Sequence, residues 1–300
     1  MKERLAVIIP TYNRRDWLIE AIESVLQQEM PADQLIVIDD GSEDGTEQAL
    51  ERYRTQLTYQ RQARGGAAAA KNRGVSLSDC SWVQFLDADD RLKPHATSRL
   101  RAAIAGHPTA TLLAYRAEEM DRTGRSTGQI VGKRSPGDRY TTQSLLERDA
   151  GGCSWFAVRR DAFNAVGRFD AQLRSAEECD LVLKLSFHGE LWAIDEALID
   201  RRMHEAMLSA DRALNARCWI QILERLRASQ PEWVRAHQAT FNRSWGKEHL
   251  RLGKSLLNAG EVASAREALA VATRYRPWNL QAWVRRFSAA FSASRRSSST

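Results

Sequence analysis

Leu5-Ala6-Val7-Ile8-Ile9-Pro10 is an unbroken apolar run that ends at a proline. A run of this kind is typical of a parallel strand that is buried on both faces of a sheet. Similar runs occur at 35–38 and 82–86, and each follows a segment in which apolar residues recur with helical spacing. This alternation predicts an α/β fold with a Rossmann-like, mostly parallel central sheet flanked by helices.

The remaining segments complete the expected architecture. Helical spacing of apolar residues predicts helices at 16–28, 46–55, 67–75, 95–105 and 178–188. Extended patterns predict strands near 57–59, within 151–158 and at 191–199, and a β-hairpin formed by 109–118 and 126–132. We therefore expect an α/β domain at 1–210, a helical region at 211–291, and a disordered Ser- and Arg-rich tail at 292–300.

Polar side chains follow all three apolar runs, at the point where each strand is expected to end. Because the carboxyl ends of parallel strands meet at one edge of a sheet, where ligands bind, we expect one crevice to collect these side chains. They are Thr11, Tyr12 and Asn13 after the first run, Asp39 and Asp40 after the second, and Asp87, Asp89 and Asp90 after the third.

The acidic group Asp87, Asp89 and Asp90 has two interpretations. Three neighbouring carboxylates destabilise a fold unless a positive charge lies among them. Magnesium and manganese ions prefer oxygen ligands, and they typically bind one or two carboxylates together with substrate phosphates. The group therefore predicts a divalent metal site, and the alternative is an acidic turn that caps the helix after Pro94.

The composition excludes several classes of protein. The chain has 300 residues, 43% of them hydrophobic and 27% charged, which is typical of a soluble globular protein. No apolar run approaches the roughly 18–20 residues of a membrane span, and the start lacks a signal-peptide pattern, so we expect a cytoplasmic protein. The four cysteines form no Cys-x-x-Cys pair, which argues against a disulfide framework or a zinc site.

The net charge of +6 is concentrated in the C-terminal third. Residues 211–300 contain 16 Lys and Arg against 6 Asp and Glu, and five of the nine tryptophans. We expect no nucleic-acid partner, but peripheral contact with an anionic membrane or with a protein partner is consistent with this basic region. The segment at 277–291 either packs on the preceding helices or lies on such a surface. Its apolar and basic residues include Trp283, Val284, Phe287 and Phe291 beside Arg285 and Arg286.

Small and apolar residues in the same region have the spacing of one tetratricopeptide repeat, which predicts a pair of closely packed helices. A single repeat cannot form a solenoid, because each repeat depends on stacked neighbours. The residues with this spacing are Leu252, Gly253, Leu256, Gly260, Ala265, Leu269, Ala272 and Pro277.

Seven motifs between about 4 and 210 together resemble the inverting glycosyltransferases of family 2, which have the GT-A fold. The motifs are VIIPTYN (7–13), IDDGSEDGT (38–46), GGAAAAKNRG (65–74), FLDADD (85–90), GRFD (167–170), EECDL (177–181), and RMH (202–204) with Ser209. The resemblance implies transfer of a sugar from a nucleotide-sugar donor, expected to be a uridine diphosphate sugar. The implied acceptor is a saccharide or lipid-linked saccharide in cell-surface polysaccharide or lipopolysaccharide synthesis, at the cytoplasmic face of the membrane.

The resemblance also implies roles on the donor side. Asp40, with Asp39, would accept a hydrogen bond from a uracil ring, and Lys71 would face the base or a phosphate where the family more often has Arg. The loop after the first strand would contact the nucleotide through Pro10, Thr11, Tyr12 and Asn13.

Asp87 and Asp89 match the Asp-x-Asp signature of the family. Asp89 would bind a divalent metal, Mn²⁺ or Mg²⁺, and Asp87 would contact the ribose or the metal. His204 would be a further ligand of the metal or of the diphosphate, and Asp90 would be a supporting or capping residue.

Inverting transfer requires a general base that removes the proton from the acceptor hydroxyl. The resemblance implies that the base lies in the Glu177-Glu178 pair, at Glu178, with Asp180 as the competing candidate. All three acids would also stabilise the first turn of a helix through its dipole. Trp155, after two glycines, either stacks on an acceptor sugar or belongs to the core.

Three other functions compete with this one. A dinucleotide-dependent oxidoreductase is excluded because no Gly-x-Gly-x-x-Gly follows the first strand. A sugar-nucleotide pyrophosphorylase-like enzyme would require a glycine-rich phosphate loop after the first strand, and the sequence has none there. The remaining alternative is a non-catalytic nucleotide-sugar-binding scaffold that acts through its basic C-terminal helices.

Overall fold

The computed structural model describes residues 3–132, 139–148, 155–204, 211–281 and 283–285. Its contacts divide the chain into two compact units. The first consists of Met1–Leu173 with Glu177–Glu205, and the second of Arg174–Ala176 with Ala206–Thr300. All residues to which the sequence analysis assigns a site role lie in the first unit.

The first unit alternates strands and helices along most of its length. Its strands are β1 (Leu5–Thr11), β2 (Gln34–Asp39), β3 (Thr58–Arg61), β4 (Trp82–Phe85), β5 (Arg91–Leu92), β6 (Ala110–Met120), β7 (Ser126–Val131), β8 (Arg139–Tyr140), β9 (Phe156–Arg159) and β10 (Glu190–Arg202). Its helices are α1 (Arg15–Leu26), α2 (Thr46–Leu50), α3 (Ala67–Leu77), α4 (Ala96–Gly106), α5 (Thr142–Arg148), α6 (Arg160–Ala165) and α7 (Glu177–Leu185).

One mixed sheet collects these strands in the order β3-β2-β1-β4-β9-β6-β10-β5, with β7 paired to β6 and β8 to β10. The half formed by β3, β2, β1 and β4 is parallel, as the apolar runs predict. In the other half, β9 lies antiparallel between β4 and β6. The sequence pattern of a strand does not specify its direction, so the mixed character of the second half was not predicted.

The burial of β1 explains why its sequence is apolar throughout. All seven of its residues are buried, because helices cover both faces of the sheet at this point. Helix α1 contributes one of the covering faces, and its buried residues recur with helical spacing as predicted. They are Leu18, Ala21, Ile22 and Val25.

Several predicted elements differ from the structure in detail. The hairpin of β6 and β7 is confirmed. The helix predicted at 46–55 is shorter, because α2 ends at Leu50 and continues as one 3₁₀ turn over Glu51–Tyr53. The short strands β5 and β8 and the helices α5 and α6 were not predicted. The glycine loop before Trp155 lies at 151–154, outside the described residues.

Gly74 allows α3 to approach β1 closely. A Cβ atom at this position would lie 2.4 Å from Cγ2 of Ile8, which is fully buried in β1. We expect Gly74→Ala to destabilise the fold by about 1–2 kcal/mol, because overpacking outweighs the gain of about 1 kcal/mol in helix propensity. Urea unfolding of the variant measures this change. In an Ile8→Ala background the same substitution should be neutral or stabilising, and an equal loss in both backgrounds would contradict the clash.

The second unit is helical in its described residues. Its helices are α8 (Arg212–Ser229), α9 (Pro231–Ala236), α10 (Gln238–Asn258) and α11 (Val262–Tyr275). Helices α10 and α11 form an antiparallel hairpin, since Gly253 faces Leu269 while Gly246 faces Tyr275. The assignment of this hairpin to a tetratricopeptide repeat stays a prediction.

The segment after α11 exposes apolar side chains. Trp278 is 93% exposed and Leu280 is 74% exposed, whereas the indole of Trp283 donates a hydrogen bond to the carbonyl of Pro277 at 2.8 Å. Phe287, Phe291 and the tail at 292–300 lie outside the described residues. Among the helices that the structure describes, none combines the length and the apolar character that crossing a bilayer requires.

Candidate active site

The ends of β1 and β2 lie side by side. Thr11 pairs in register with Asp39, and Pro10 with Ile38. Asp39 is fully buried; one carboxylate oxygen accepts a hydrogen bond from the Ser42 amide at 2.7 Å and the other from the Tyr59 hydroxyl at 2.7 Å. Asp39 therefore stabilises the turn after β2 through Ser42 and links this turn to β3 through Tyr59.

Asp40 links this turn to the start of α3. Its Oδ1 accepts hydrogen bonds from the Gly65 amide and from Gln62, both at 2.8 Å, and its Oδ2 accepts one from the Gly66 amide at 2.7 Å. Gly66 has a φ of +89°, which disfavours any residue with a Cβ atom. Asp40 is 5% exposed. The carboxylate thus anchors the glycine turn of the GGAAAAKNRG motif.

The loop after β1 is held by the turn after β2. The amide of Asn13 donates to Ser42 Oγ at 2.9 Å, and its side-chain oxygen accepts a hydrogen bond from the Glu43 amide at 2.8 Å. Asn13 has a φ of +50°, a conformation that asparagine tolerates better than most residues. The guanidinium of Arg64 lies over the Tyr12 ring, 4.1 Å from its centroid. Tyr12 and Asn13 are therefore presented together beside the carboxyl end of β1.

The acidic residues after β4 converge. Carboxylate oxygens of Asp87, Asp89 and Asp90 lie within 4.8 Å of one another. Asp90 is buried, and its Oδ1 accepts a hydrogen bond from the Arg202 amide at 2.9 Å. Burial, together with the charges of Asp87 and Asp89, raises the pKa of Asp90 well above its ordinary value. Such a cluster of oxygen donors fits a hard divalent cation, which would relieve the mutual repulsion.

His204 joins this group from the end of β10. Its Nε2 lies 2.8 Å from Asp89 Oδ2, while its buried Nδ1 has no hydrogen-bond partner among the described residues. The ring packs against Trp17, with 4.8 Å between centroids. The structure therefore brings together the three residues that the resemblance assigns to the metal, Asp87, Asp89 and His204, and adds Asp90 to them.

Arg202 supports the acidic cluster of Asp87, Asp89 and Asp90 through hydrogen bonds to its backbone and to one of its side chains. Its side chain is 1% exposed, and its Nε donates to the Asp89 carbonyl and its Nη1 to the Arg122 carbonyl, both at 2.9 Å. Its Nη2 lies 2.6 Å from Glu20 Oε2. Arg202 thus fixes the backbone that carries the acidic cluster.

Glu178 and Lys71 lie beside the acidic cluster. The side chain of Lys71 is 3% exposed, and its Nζ contacts Glu178 Oε1 and lies 3.8 Å from Asp87 Oδ1. Burial lowers the pKa of Lys71, but the carboxylates of Glu178, Asp87 and Glu177 raise it well above its ordinary value. Burial and the charge of Glu177 raise the pKa of Glu178, against the opposing effect of Lys71. The crevice is lined by Lys71, Asp87, Asp90, Trp155 and Glu178.

Asp180, the competing base candidate, has different surroundings. It is 3% exposed, and its Oδ2 lies 2.5 Å from Nζ of Lys184, one turn later on α7. Asp180 does not line the crevice formed by the described residues. The geometry therefore groups Glu178, and not Asp180, with the acidic cluster.

Three residues near the site carried no signal in the sequence. Trp17 has the spacing of a core residue of α1, yet its ring contacts His204. Arg64 precedes the glycine turn, and only the fold places it over Tyr12. Glu20 pairs with Arg202 across a separation of 182 residues. Long-range pairs of this kind have no local pattern from which they can be predicted.

Comparison with known sequences identifies the family. Residues 6–167 match the family model described as glycosyl transferase family 2. An uncharacterized glycosyltransferase of Haemophilus influenzae is 28% identical over 182 residues, which cover 60% of this chain and 61% of that protein. The putative teichuronic acid biosynthesis glycosyltransferase TuaG of Bacillus subtilis is 37% identical over 97 residues, 31% of this chain and 38% of that protein. Both alignments cover less than two thirds of the relative.

Comparison with solved structures identifies the fold. S. aureus TarS 1–349 in complex with UDP-GlcNAc has a TM-score of 0.68 and 18% identity, and the match covers 95% of this chain and 89% of that chain. The mannosyltransferase PcManGT from Pyrobaculum calidifontis in complex with GDP-Man and Mn²⁺ has a TM-score of 0.60 and 19% identity, covering 97% and 87%. The mixed sheet with flanking helices is the GT-A fold. Because the family model covers more than half of the sequence, the chain belongs to glycosyltransferase family 2.

Proposed function

We propose that this protein is an inverting glycosyltransferase that moves a sugar from a nucleotide-sugar donor to a hydroxyl of a saccharide or lipid-linked saccharide. One observation carries the proposal: Glu178, a carboxylate with a raised pKa, lines one crevice with Asp87 and Asp90, and oxygens of these two acids and of Asp89 lie within 4.8 Å of one another. A base and an oxygen-rich cation site are the two components that metal-assisted transfer to a hydroxyl requires.

The donor nucleotide would bind at the carboxyl ends of β1 and β2. Asn13 is held there by the turn after β2, and Asp40, the first residue after β2, anchors the glycine turn before α3. We propose a uridine diphosphate sugar, because a carboxylate in this place can accept a hydrogen bond from the ring N–H of uracil. The donor-side residues of this proposal are Pro10, Thr11, Tyr12, Asn13, Asp39, Asp40 and Asp87.

A divalent metal, Mn²⁺ or Mg²⁺, would be held by Asp89, Asp87 and His204. When bound, such an ion neutralises the charge that develops on a departing diphosphate. Arg202 positions the backbone of this group, and Asp90 keeps a buried carboxyl beside it. These contacts order the ligands before any donor arrives.

Glu178 supplies the base chemistry in this proposal. Its carboxylate takes the proton of the acceptor hydroxyl as the oxygen attacks the anomeric carbon of the donor sugar. The bond between that carbon and the diphosphate oxygen breaks, the nucleoside diphosphate leaves with the electron pair, and the anomeric configuration inverts. The transition state is oxocarbenium-like. Asp180 is the alternative base.

The proposed setting is cell-surface polysaccharide synthesis. The similarity to a putative teichuronic acid biosynthesis glycosyltransferase supports this setting. The basic C-terminal helices, with the exposed Trp278 and Leu280, are consistent with peripheral contact with an anionic membrane or a protein partner. The acceptor side of the proposal rests on these two observations.

Thermal unfolding with UDP and Mn²⁺ tests the donor and metal sites. A ligand at about 100 times its Kd should stabilise the wild type by about 2.7 kcal/mol. The stabilisation should require both UDP and the metal, exceed that given by CDP or GDP, and disappear in Asp89→Asn. The matched control is Asp79→Asn, which removes an exposed acid that pairs with Arg4 and should leave the shift intact. No shift with any nucleoside diphosphate would contradict the proposed donor site, whereas a metal-dependent shift without any sugar transfer would favour the non-catalytic scaffold.

A further inference from the structure

The ammonium of Lys71 is enclosed by three carboxylates. Its Nζ contacts Glu178 Oε1 and lies 3.3 Å from Glu177 Oε1 and 3.8 Å from Asp87 Oδ1. The side chain is 3% exposed, so little of its surface is available to a nucleotide. A buried ammonium requires such partners, because a buried charge without them lowers the stability of the fold by roughly several kcal/mol. The two shorter contacts, with Glu178 and Glu177, tie Lys71 to the base side of the crevice.

The ring of Phe169 packs against the ammonium of Lys71, and Asn72 holds Phe169 in place. Nζ is 5.4 Å from the centroid of the Phe169 ring, a favourable cation–π distance. Asn72, the next residue of α3, exchanges two hydrogen bonds with the backbone of Phe169, at 2.8 and 3.1 Å. Helix α3 and the 167–170 motif are thus locked together at the point where Lys71 reaches α7.

We infer that Lys71 is a positioning residue that holds the carboxylate of Glu178 in the crevice by one oxygen, Oε1, so that Oε2 receives the proton of the acceptor. The inference rests on the proposed function. Glu177 and Glu178 are adjacent and repel each other, and a cation between them keeps both in one place. Without the cation the base moves away from the acceptor. A misplacement of about 1 Å can lower the rate about 100-fold.

Lys71→Met and Lys71→Arg test this role in the full chain. Lys71→Met should lower kcat by about 100-fold, while KM for the donor and the Kd for UDP with Mn²⁺ stay close to the wild-type values. Lys71→Arg should recover most of the lost kcat, because arginine keeps the charge and can donate to two carboxylates. The matched control is Lys93→Met. Lys93 also bridges two carboxylates, those of Glu118 at 2.8 Å and Asp200 at 2.7 Å, but it does not line the crevice, and its loss should leave kcat unchanged.

A thermodynamic cycle tests the contact without turnover. Lys71→Met should lower the Tm less in a Glu178→Gln background than in the wild type, because one of the three carboxylate charges that it leaves unpaired is then gone. Equal Tm changes in the two backgrounds would overturn the inference.

The kinetic outcomes separate this inference from the proposed function. A wild type that transfers sugar, with an unchanged kcat in Lys71→Met, overturns the inference alone. A raised donor KM or UDP Kd with an unchanged kcat also overturns it and makes Lys71 a donor contact. A wild type that transfers sugar from no nucleotide-sugar donor overturns the proposed function, and the inference with it.

Discussion

Glu178→Gln is expected to lower kcat for sugar transfer by about 10²–10⁴-fold, the usual contribution of a general base. Glutamine keeps the size of the side chain but cannot take the proton of the acceptor. Binding of UDP with Mn²⁺ should persist, because Glu178 contacts Lys71 rather than the acidic cluster. A radiolabelled-sugar transfer assay measures the loss, and the thermal shift with UDP verifies that the donor site is intact.

Asp180→Asn distinguishes the two base candidates. Asp180 is buried and forms an ion pair with Lys184. Its substitution by asparagine should therefore lower the Tm while kcat changes little. If Asp180→Asn abolishes transfer in a folded protein while Glu178→Gln remains active, the base is Asp180, and the assignment of Glu178 is wrong.

The pH profile provides a signature of the same base. Burial and the charge of Glu177 raise the pKa of Glu178, while Lys71 opposes them. A carboxylate acts as a base only when it is ionised, so kcat/KM should rise with pH through the pKa of this group. We expect the acidic limb to lie above the ordinary glutamate range of about 4.3, and to be absent from the residual activity of Glu178→Gln. An acidic limb that persists unchanged in the variant would assign the titration to another group.

The parallel half of the sheet could be predicted because burial on both faces leaves a clear local pattern. The run that begins at Leu5 is apolar throughout, and all of its residues are buried in β1. The position of β9 had no such pattern. Val158 pairs with Val83 of β4 on one side and with Leu112 of β6 on the other, and neither partner is near it in sequence. Its place in the sheet is decided by these long-range pairs.

The site shows the same division between local motif and long-range contact. The sequence motifs contain Asp89, Lys71 and Glu178, and the structure brings Lys71 and Glu178 together across 107 residues. Nothing in either motif indicates that the lysine contacts the base candidate. The resemblance assigns Lys71 to the donor, and only its burial and its contacts with Glu177 and Glu178 point to the base side of the crevice.

Arg202→Met is expected to destabilise the first unit by about 3 kcal/mol, because it leaves two backbone carbonyls without donors and breaks an ion pair. The carbonyls belong to Asp89 and Arg122, and the ion pair is with Glu20. Glu20 is 39% exposed and Arg122 is exposed as well, so water replaces part of both interactions and most of the loss comes from the Asp89 carbonyl. A loss of this size lowers the Tm by about 6–12 °C, which differential scanning calorimetry measures.

Arg201→Met is the matched control, because it removes the same side chain one residue earlier. Arg201 is 24% exposed, and its Nη1 lies 3.6 Å from Glu119 Oε1, so its loss should cost less than about 1 kcal/mol. Arg202→Lys should fall between the two variants, since lysine keeps the charge but lacks the planar fork that reaches three acceptors. Equal Tm losses for Arg201→Met and Arg202→Met would contradict the prediction that the hydrogen bonds of Arg202 stabilise the first unit. If that support is correct, Arg202→Met also weakens the Mn²⁺-dependent shift with UDP, because the backbone of Asp89 loses its anchor.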